Sequence, residues 1–99
     1  MSVIENWTDL VGRIRHISDH DPKKNFTTIA LDVEKVDDVE GYPNLLADVD
    51  HTTVHIDVRD DQLREHDLKP GDRIRSRTRR AQGDRLFAHP DQLEVVDPR

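Results

Sequence analysis

Arginines alternate with small or apolar residues directly after the turn-forming pair Pro70-Gly71. Side chains two residues apart on a β-strand lie on the same face, so the alternation predicts a row of guanidiniums on one face of a strand. This arginine row consists of Arg73, Arg75, Arg77 and Arg79. The residues predicted to face the interior are Ile74, Ser76 and Thr78. Guanidiniums form paired hydrogen bonds with phosphates and carboxylates. The arginine row therefore predicts a surface that binds a polyanion.

The sequence leaves three interpretations of the arginine row open. The row binds nucleic acid, binds an acidic protein, or is a solvated face whose charge is offset by acids such as Asp72 and Asp84 or by an acidic loop. Phe87 bears on the choice, because an outward Phe87 would add a stacking ring to the cations. Leu86 and Ala88 compete with it for the inward position, and the sequence does not decide between them.

Five short strands and one small helix must position these residues. Alternating apolar residues predict strands over 10–17, 26–34, 51–59, 73–80 and 85–88, the last resuming over 93–96 after Pro90. A short helix is predicted over 60–68, with Asp60 as its cap and Leu63 as its buried anchor. An acidic connection over 35–50 contains the breaker Gly41-Tyr42-Pro43. The predicted fold class is all-β, a small barrel of five strands.

Length and composition narrow the class of protein. Ninety-nine residues predict one domain over 1–99 with its core at about 10–96. The chain carries a net charge of -6, and residues 1–50 hold five Lys or Arg against eleven Asp or Glu. No stretch approaches the roughly 18 apolar residues of a membrane span, and the first residues lack a signal-peptide pattern. We therefore expect a cytoplasmic protein that does not associate with membranes.

The order of elements resembles the oligonucleotide/oligosaccharide-binding (OB) fold. The resemblance covers residues 10–96 and is strongest where the helix is followed by Leu68-Lys69-Pro70-Gly71-Asp72 and then by the hairpin at Gly83. It implies a Greek-key barrel in which the fourth strand lies beside the first, so Arg13 and Arg15 would extend the arginine row. It also implies a ligand on the outer face of strands two and three, flanked by the loops after strands one and four. That face is expected to lack exposed aromatic residues and to carry the carboxylates of Asp32 and Asp57.

Signatures of catalysis and of metal binding are missing from the sequence. The chain has no cysteine, no glycine-rich phosphate loop and no nucleophile elbow. Six histidines are present without a recognised ligand spacing. His55 and Asp57 share a strand face, a weak indication of an acid–base pair. We expect a non-enzymatic protein with no cofactor and no metal.

The leading hypothesis is a nucleic-acid-binding module in which the first loop adds two lysines to the arginines. The predicted nucleic-acid-binding residues are Arg13, Arg15, Lys23, Lys24, Arg73, Arg75, Arg77, Arg79 and Phe87. The alternative is a protein-interaction or accessory module that binds a different protein or its own copy and does not bind nucleic acid. It is motivated by the acidic connection and by the negative net charge.

Overall fold

Five strands and one helix make up the protein, whose computed structural model describes residues 4–19 and 25–97. The strands are β1 Thr8–Ile17, β2 Phe26–Asp38, β3 Thr53–Arg59, β4 Arg73–Arg80 and β5 Leu86–Asp97. The helix α1 spans Asp60–Glu65 between β3 and β4, and short 3-10 turns lie at Ala47–Val49 and Gln82–Asp84.

The five strands close into one barrel in the order β1-β2-β3-β5-β4, with β4 hydrogen-bonded back to β1. The β3–β5 pair is parallel, with Ile56 opposite Leu86, and the other four pairs are antiparallel. The predicted all-β fold class, with five strands and one short helix between the third and the fourth, is thus confirmed. The adjacency of β1 and β4 also brings Arg13 opposite Arg73.

The core lies inside the barrel and follows the strand alternation. On β2, Ile29, Leu31 and Val33 are almost completely buried, and on β4 Ile74, Ser76 and Thr78 are fully buried. The Thr78 hydroxyl donates to the Ser76 carbonyl, so its burial leaves no unpaired donor. The inward parity predicted for β4 is therefore confirmed.

Several boundaries differ from those predicted. β1 begins at Thr8, two residues before the predicted start of the first strand, and β2 continues to Asp38, into the predicted acidic connection. These extensions pair with each other, Thr8 opposite Asp38. Backbone pairing between distant segments thus overrides the local sequence signal.

The helix is shorter than predicted and buries a different residue. It starts after Arg59, which occupies the N-cap position without a side-chain cap, so Asp60 is its first helical residue. Gln62 is 2% exposed, whereas Leu63 is only partly buried against the core. The Gln62 amide donates to the carbonyls of His89 and Pro90. These carbonyls belong to a bulge in β5 and need a hydrogen-bond donor. Gln62 supplies it, which explains why the polar residue is the buried one.

A tight turn at Pro70-Gly71 positions the arginine strand, as predicted. Gly71 has a φ of +95°, which glycine adopts without steric cost. The Asp72 N–H donates to the Lys69 carbonyl at 3.1 Å, and the Gly71 N–H donates to Ile14 on β1. The Asp72 carboxylate accepts from the Lys69 N–H at 2.9 Å. Asp72 therefore stabilises the turn.

Within residues 4–19 and 25–97, none of the helical segments has the length and apolar character needed to cross a membrane.

Candidate nucleic-acid interface

The arginine row lies on the outer surface of β4, beside β1. Arg73 and Arg77 are half-buried, Arg75 and Arg79 are exposed, and the residues between them are fully buried. Asp9 lies opposite Arg77 and Val11 lies opposite Arg75 in the β1–β4 register. A carboxylate of the same chain therefore lies directly beside the row.

Asp9 binds two members of the arginine row. Its carboxylate accepts from Arg75 Nη2 at 3.1 Å and from Arg77 Nε at 3.0 Å, with a second contact from Arg77 Nη2 at 3.3 Å. The Asp9 side chain is 8% exposed. Burial would raise the pKa of this carboxyl, but the hydrogen bonds and charges of Arg77 and Arg75 outweigh burial and hold the pKa below its usual range. The hydrogen bond to Asp9 likewise raises the pKa of Arg77.

The remaining arginines near β1 are also paired within the chain. Arg73 Nε lies 2.8 Å from Glu34 Oε1, and Arg73 Nη1 lies 3.6 Å from Asp97. Arg13 donates to Asp97 at 3.2 Å and to the Gly71 carbonyl at 2.8 Å.

Arg15 completes the set of paired arginines. Its Nε lies 3.0 Å from Asp32 Oδ2, and hydrogen bonds from Thr53 and Arg15 hold the pKa of the half-buried Asp32 carboxyl below its usual range. Five of the six predicted arginines thus have carboxylate partners. The acids are Asp9, Asp32, Glu34 and Asp97 rather than the expected Asp72 and Asp84.

Arg79 differs from the other predicted arginines. Among the described residues it forms no ion pair, and its Cζ lies 5.7 Å from the centre of the Phe87 ring. Arg79 and Phe87 are direct partners in the β4–β5 register. Phe87 is half-buried between the buried Leu86 and Ala88. The ring therefore lies on the outer face beside a cation, the arrangement left open by the sequence.

A second ring and a second guanidinium join this pair. Phe26 at the start of β2 is 37% exposed, and its ring centre lies 5.5 Å from that of Phe87 in an edge-on arrangement. The Arg85 Cζ lies 4.9 Å from the Phe87 centre, within range of a cation–π contact. We call this group the aromatic patch. It consists of Phe26, Phe87, Arg79 and Arg85.

A polar depression of about 600 Å³ adjoins the aromatic patch. It is lined by Asn25, Phe26, Thr28, Asp57 and Arg85. The Asp57 carboxylate accepts from the Thr28 hydroxyl at 2.7 Å and from Arg85 Nη2 at 2.6 Å. Its charge is thus partly offset by Arg85, and both donors fix its orientation. Asp57 contacts these two residues rather than His55, with which the sequence had associated it.

Phe26 and Arg85 were not among the residues predicted from the sequence. The expectation that the outer face of strands two and three lacks exposed aromatic residues is wrong, because Phe26 lies on that face. Phe26 is two residues before Thr28 on β2, and residues two apart on a strand lie on the same face, so its outward position could have been predicted. The predicted Lys23 and Lys24 lie outside the described residues. In the part of the chain that is described, no group of three or more His, Asp or Glu residues is arranged to hold a metal ion.

Comparison with known proteins finds no matching family model, no matching curated protein and no matching solved structure. The class of protein is therefore defined by this chain's own geometry. It is a closed five-stranded barrel that carries the aromatic patch and a polar depression beside it.

Proposed function

We propose that this protein is a non-enzymatic OB-like module that binds single-stranded nucleic acid through the aromatic patch. The observation that carries the proposal is the position of Phe26 and Phe87 on the outer face, with the guanidiniums of Arg79 and Arg85 within 6 Å of the Phe87 centre. Unpaired bases stack on aromatic side chains, and each stack contributes about 1–3 kcal/mol. Nearby cations attract the phosphates between the bases.

The position of the patch on the barrel supports the same function. The OB resemblance places ligands on strands two and three and beside the loops after strands one and four. Phe26 starts β2 just after the first of these loops, and Arg85 follows the other loop. The cytoplasmic location expected from the sequence stays a prediction within this proposal.

The paired arginines change the expected strength of the electrostatic contribution. A guanidinium that already binds a carboxylate gains little from a phosphate, because the new contact must replace an existing one. We therefore assign the phosphate contact to Arg79 and not to Arg73, Arg75 or Arg77; Arg85 also binds a carboxylate, that of Asp57. One phosphate contact predicts a slope of about -0.7 for the logarithm of affinity against the logarithm of salt concentration, whereas eight cations would give about -5.6.

Fluorescence anisotropy with a labelled single-stranded oligonucleotide tests the proposal. We expect binding at 20 mM salt that weakens at 200 mM with the shallow slope given above. Phe26→Ala should weaken binding by about fivefold or more, since one stacking ring is lost. Tyr42→Ala is the matched control, because Tyr42 is 41% exposed and lies outside the aromatic patch. An absence of binding at low salt, or equal losses in the two variants, would contradict the proposal.

A protein-interaction module is the second candidate, and the pairing of the arginine row favours it. Five arginines held by carboxylates of the same chain leave a surface of balanced charge beside β1 and β4, which suits a protein partner better than a polyanion. In its self-association version, light scattering after size exclusion should show a dimer or larger species at high concentration. A monomer at every concentration would exclude that version.

A further inference from the structure

We infer that the depression beside the aromatic patch is a guanine-preferring subsite, in which Asp57 and Arg85 bind the Watson–Crick edge of an unpaired guanine. This inference rests on the proposed binding of single-stranded nucleic acid and adds a base preference to it. Three features of the depression support it: the fixed carboxylate, the adjacent guanidinium, and the neighbouring rings.

The Asp57 carboxylate is oriented before any ligand binds. Thr28 donates to Oδ1 and Arg85 donates to Oδ2. The Asp57 side chain is 15% exposed, so the carboxylate is shielded but reachable. A carboxylate has roughly four acceptor positions on its two oxygens, and the two recorded contacts leave about half of them for a ligand.

Only guanine presents the hydrogen-bonding pattern that this pair of residues complements. Its Watson–Crick edge carries an acceptor, O6, followed by two adjacent donors, N1–H and the N2 amino group. A guanidinium beside a carboxylate offers a donor followed by two acceptors. Cytosine and adenine each place an acceptor next to their single amino donor, and thymine flanks its one donor with two acceptors. Each of these bases would direct a lone pair towards the carboxylate, which costs binding energy when the contact excludes water.

Neighbouring rings would hold the base while its edge contacts Asp57. Asp57 and Phe87 are direct partners in the β3–β5 register, and Thr28 faces Asp57 from β2. Phe26 lines the depression itself. A base stacked on Phe26 therefore lies beside the carboxylate, in the combination of stacking and edge readout by which single-stranded bases are recognised.

Anisotropy titrations with labelled 11-mers of thymidine that differ only at the central position would test the inference. We expect a central dG to bind about tenfold tighter than dA, dC or dT, within the range of a good bidentate contact. Deoxyinosine, which lacks the N2 amino group, should lose most of this gain. 7-Deaza-dG, which keeps the Watson–Crick edge, should retain it. Equal affinity for dG and deoxyinosine would overturn the inference.

Asp57→Asn is the variant that isolates the carboxylate, because the amide has one acceptor fewer and adds a donor. We expect the ratio of dG to dT affinity to fall to within about twofold of one, since the bidentate contact is lost. Asp32→Asn is a closely matched control: Asp32 also accepts from a threonine and an arginine, Thr53 and Arg15, but lies outside the depression. It should keep the preference.

The outcomes separate this inference from the proposed function. Equal binding of all central bases would refute the guanine preference while supporting the nucleic-acid-binding function. A failure of every oligonucleotide to bind at low salt would refute both. Loss of the preference in Asp32→Asn as well as in Asp57→Asn would show that the effect is not specific to the depression.

Discussion

Asn6 and Arg80 bind each other reciprocally although 74 positions separate them. The Asn6 amide donates to the Arg80 carbonyl at 2.9 Å, and the Arg80 N–H donates to the Asn6 Oδ1 at 2.9 Å. Asn6 is fully buried. Its side chain thus makes the two hydrogen bonds that a neighbouring strand would make at the end of β4. These bonds attach the segment before β1 to the barrel.

Replacing Asn6 by alanine should destabilise the fold, because it removes the buried side chain that pairs with the N–H and the carbonyl of the half-buried Arg80. We expect a loss of about 2–4 kcal/mol in the free energy of unfolding, from two unsatisfied backbone groups. Urea unfolding followed by the fluorescence of Trp7, which packs on His89 at 4.8 Å, provides the measurement. Gln92→Ala, at an exposed position, is the control and should change stability by less than about 0.5 kcal/mol.

The sequence predicted the element order and the faces of β2 and β4, because alternation is a local property. The sequence could not predict the partner of Asp9. Asp9 and Arg77 are 68 positions apart, and their contact depends on the register between β1 and β4. Asp9 also lay outside the predicted first strand. Gln62 shows the same limit, because its burial follows from the β5 bulge that it binds and not from its own neighbours in sequence.

Gly12 allows a close approach between β1 and β2. A Cβ at this position would clash with the Asp32 carbonyl oxygen and lie 2.9 Å from its carbonyl carbon. Gly12 is paired with both Val33 and Ile74, so its backbone is held from two sides. We expect Gly12→Ala to cost about 2–3 kcal/mol or more, as an overpacked core substitution does.

Gly41→Ala is the control for the Gly12 substitution. Gly41 has a φ of +87° but no atom within 4 Å of an added Cβ. Its substitution should cost about 1–2 kcal/mol, from the left-handed backbone alone. Thermal or urea unfolding compares the two variants, and a smaller loss at Gly12 than at Gly41 would contradict the close-approach argument.

The Asp9 ion pairs should make stability dependent on pH in the acid range. Because the folded-state pKa of Asp9 lies below its ordinary value of 3.8, the ionised carboxylate stabilises the folded state at pH values above the unfolded pKa. This contribution is lost as pH falls through the folded pKa. Asp9→Asn should therefore lower stability at pH 7 by about 1–2 kcal/mol, the range for hydrogen bonds to a charged group discounted for the partly exposed arginines.

Urea titrations of the wild type and Asp9→Asn between pH 7 and pH 3 would measure this contribution. The difference between the two proteins should shrink below about pH 4, as the wild-type carboxylate becomes protonated. Asp91 and Asp9 both line a second surface depression, separate from the one beside the aromatic patch. Asp91→Asn, at an exposed carboxylate, should stay within about 0.5 kcal/mol of wild type at pH 7. A difference for Asp9→Asn that is constant across this range would show that its ionisation does not stabilise the fold.

The candidate site was only partly readable from the sequence. The alternation of residue types along β4 predicted the arginine row. The position of Phe87 beside Arg79 depends on the β4–β5 register, which cannot be predicted from the sequence. Whether a cation is free depends on which carboxylates other strands bring to it, and those distances follow from the closed barrel. This is why eight cations looked equivalent in the sequence, whereas in the structure Arg79 and Arg77 have different surroundings.

Arg79 and Arg77 should consequently respond differently to the same substitution. Arg79→Gln removes a cation beside the Phe87 ring, so it should weaken oligonucleotide binding by about threefold or more at low salt and leave stability within about 0.5 kcal/mol. Arg77→Gln removes a partner of the buried Asp9 carboxylate, so it should cost about 1–3 kcal/mol in stability with little effect on affinity. Arg64→Gln is the control for both, since Arg64 is exposed on α1 and lies outside the aromatic patch and the arginine row. Anisotropy and urea unfolding on the same preparations separate the two effects. If Arg77→Gln weakened binding as much as Arg79→Gln did, the arginine row would contact the ligand directly despite its ion pairs.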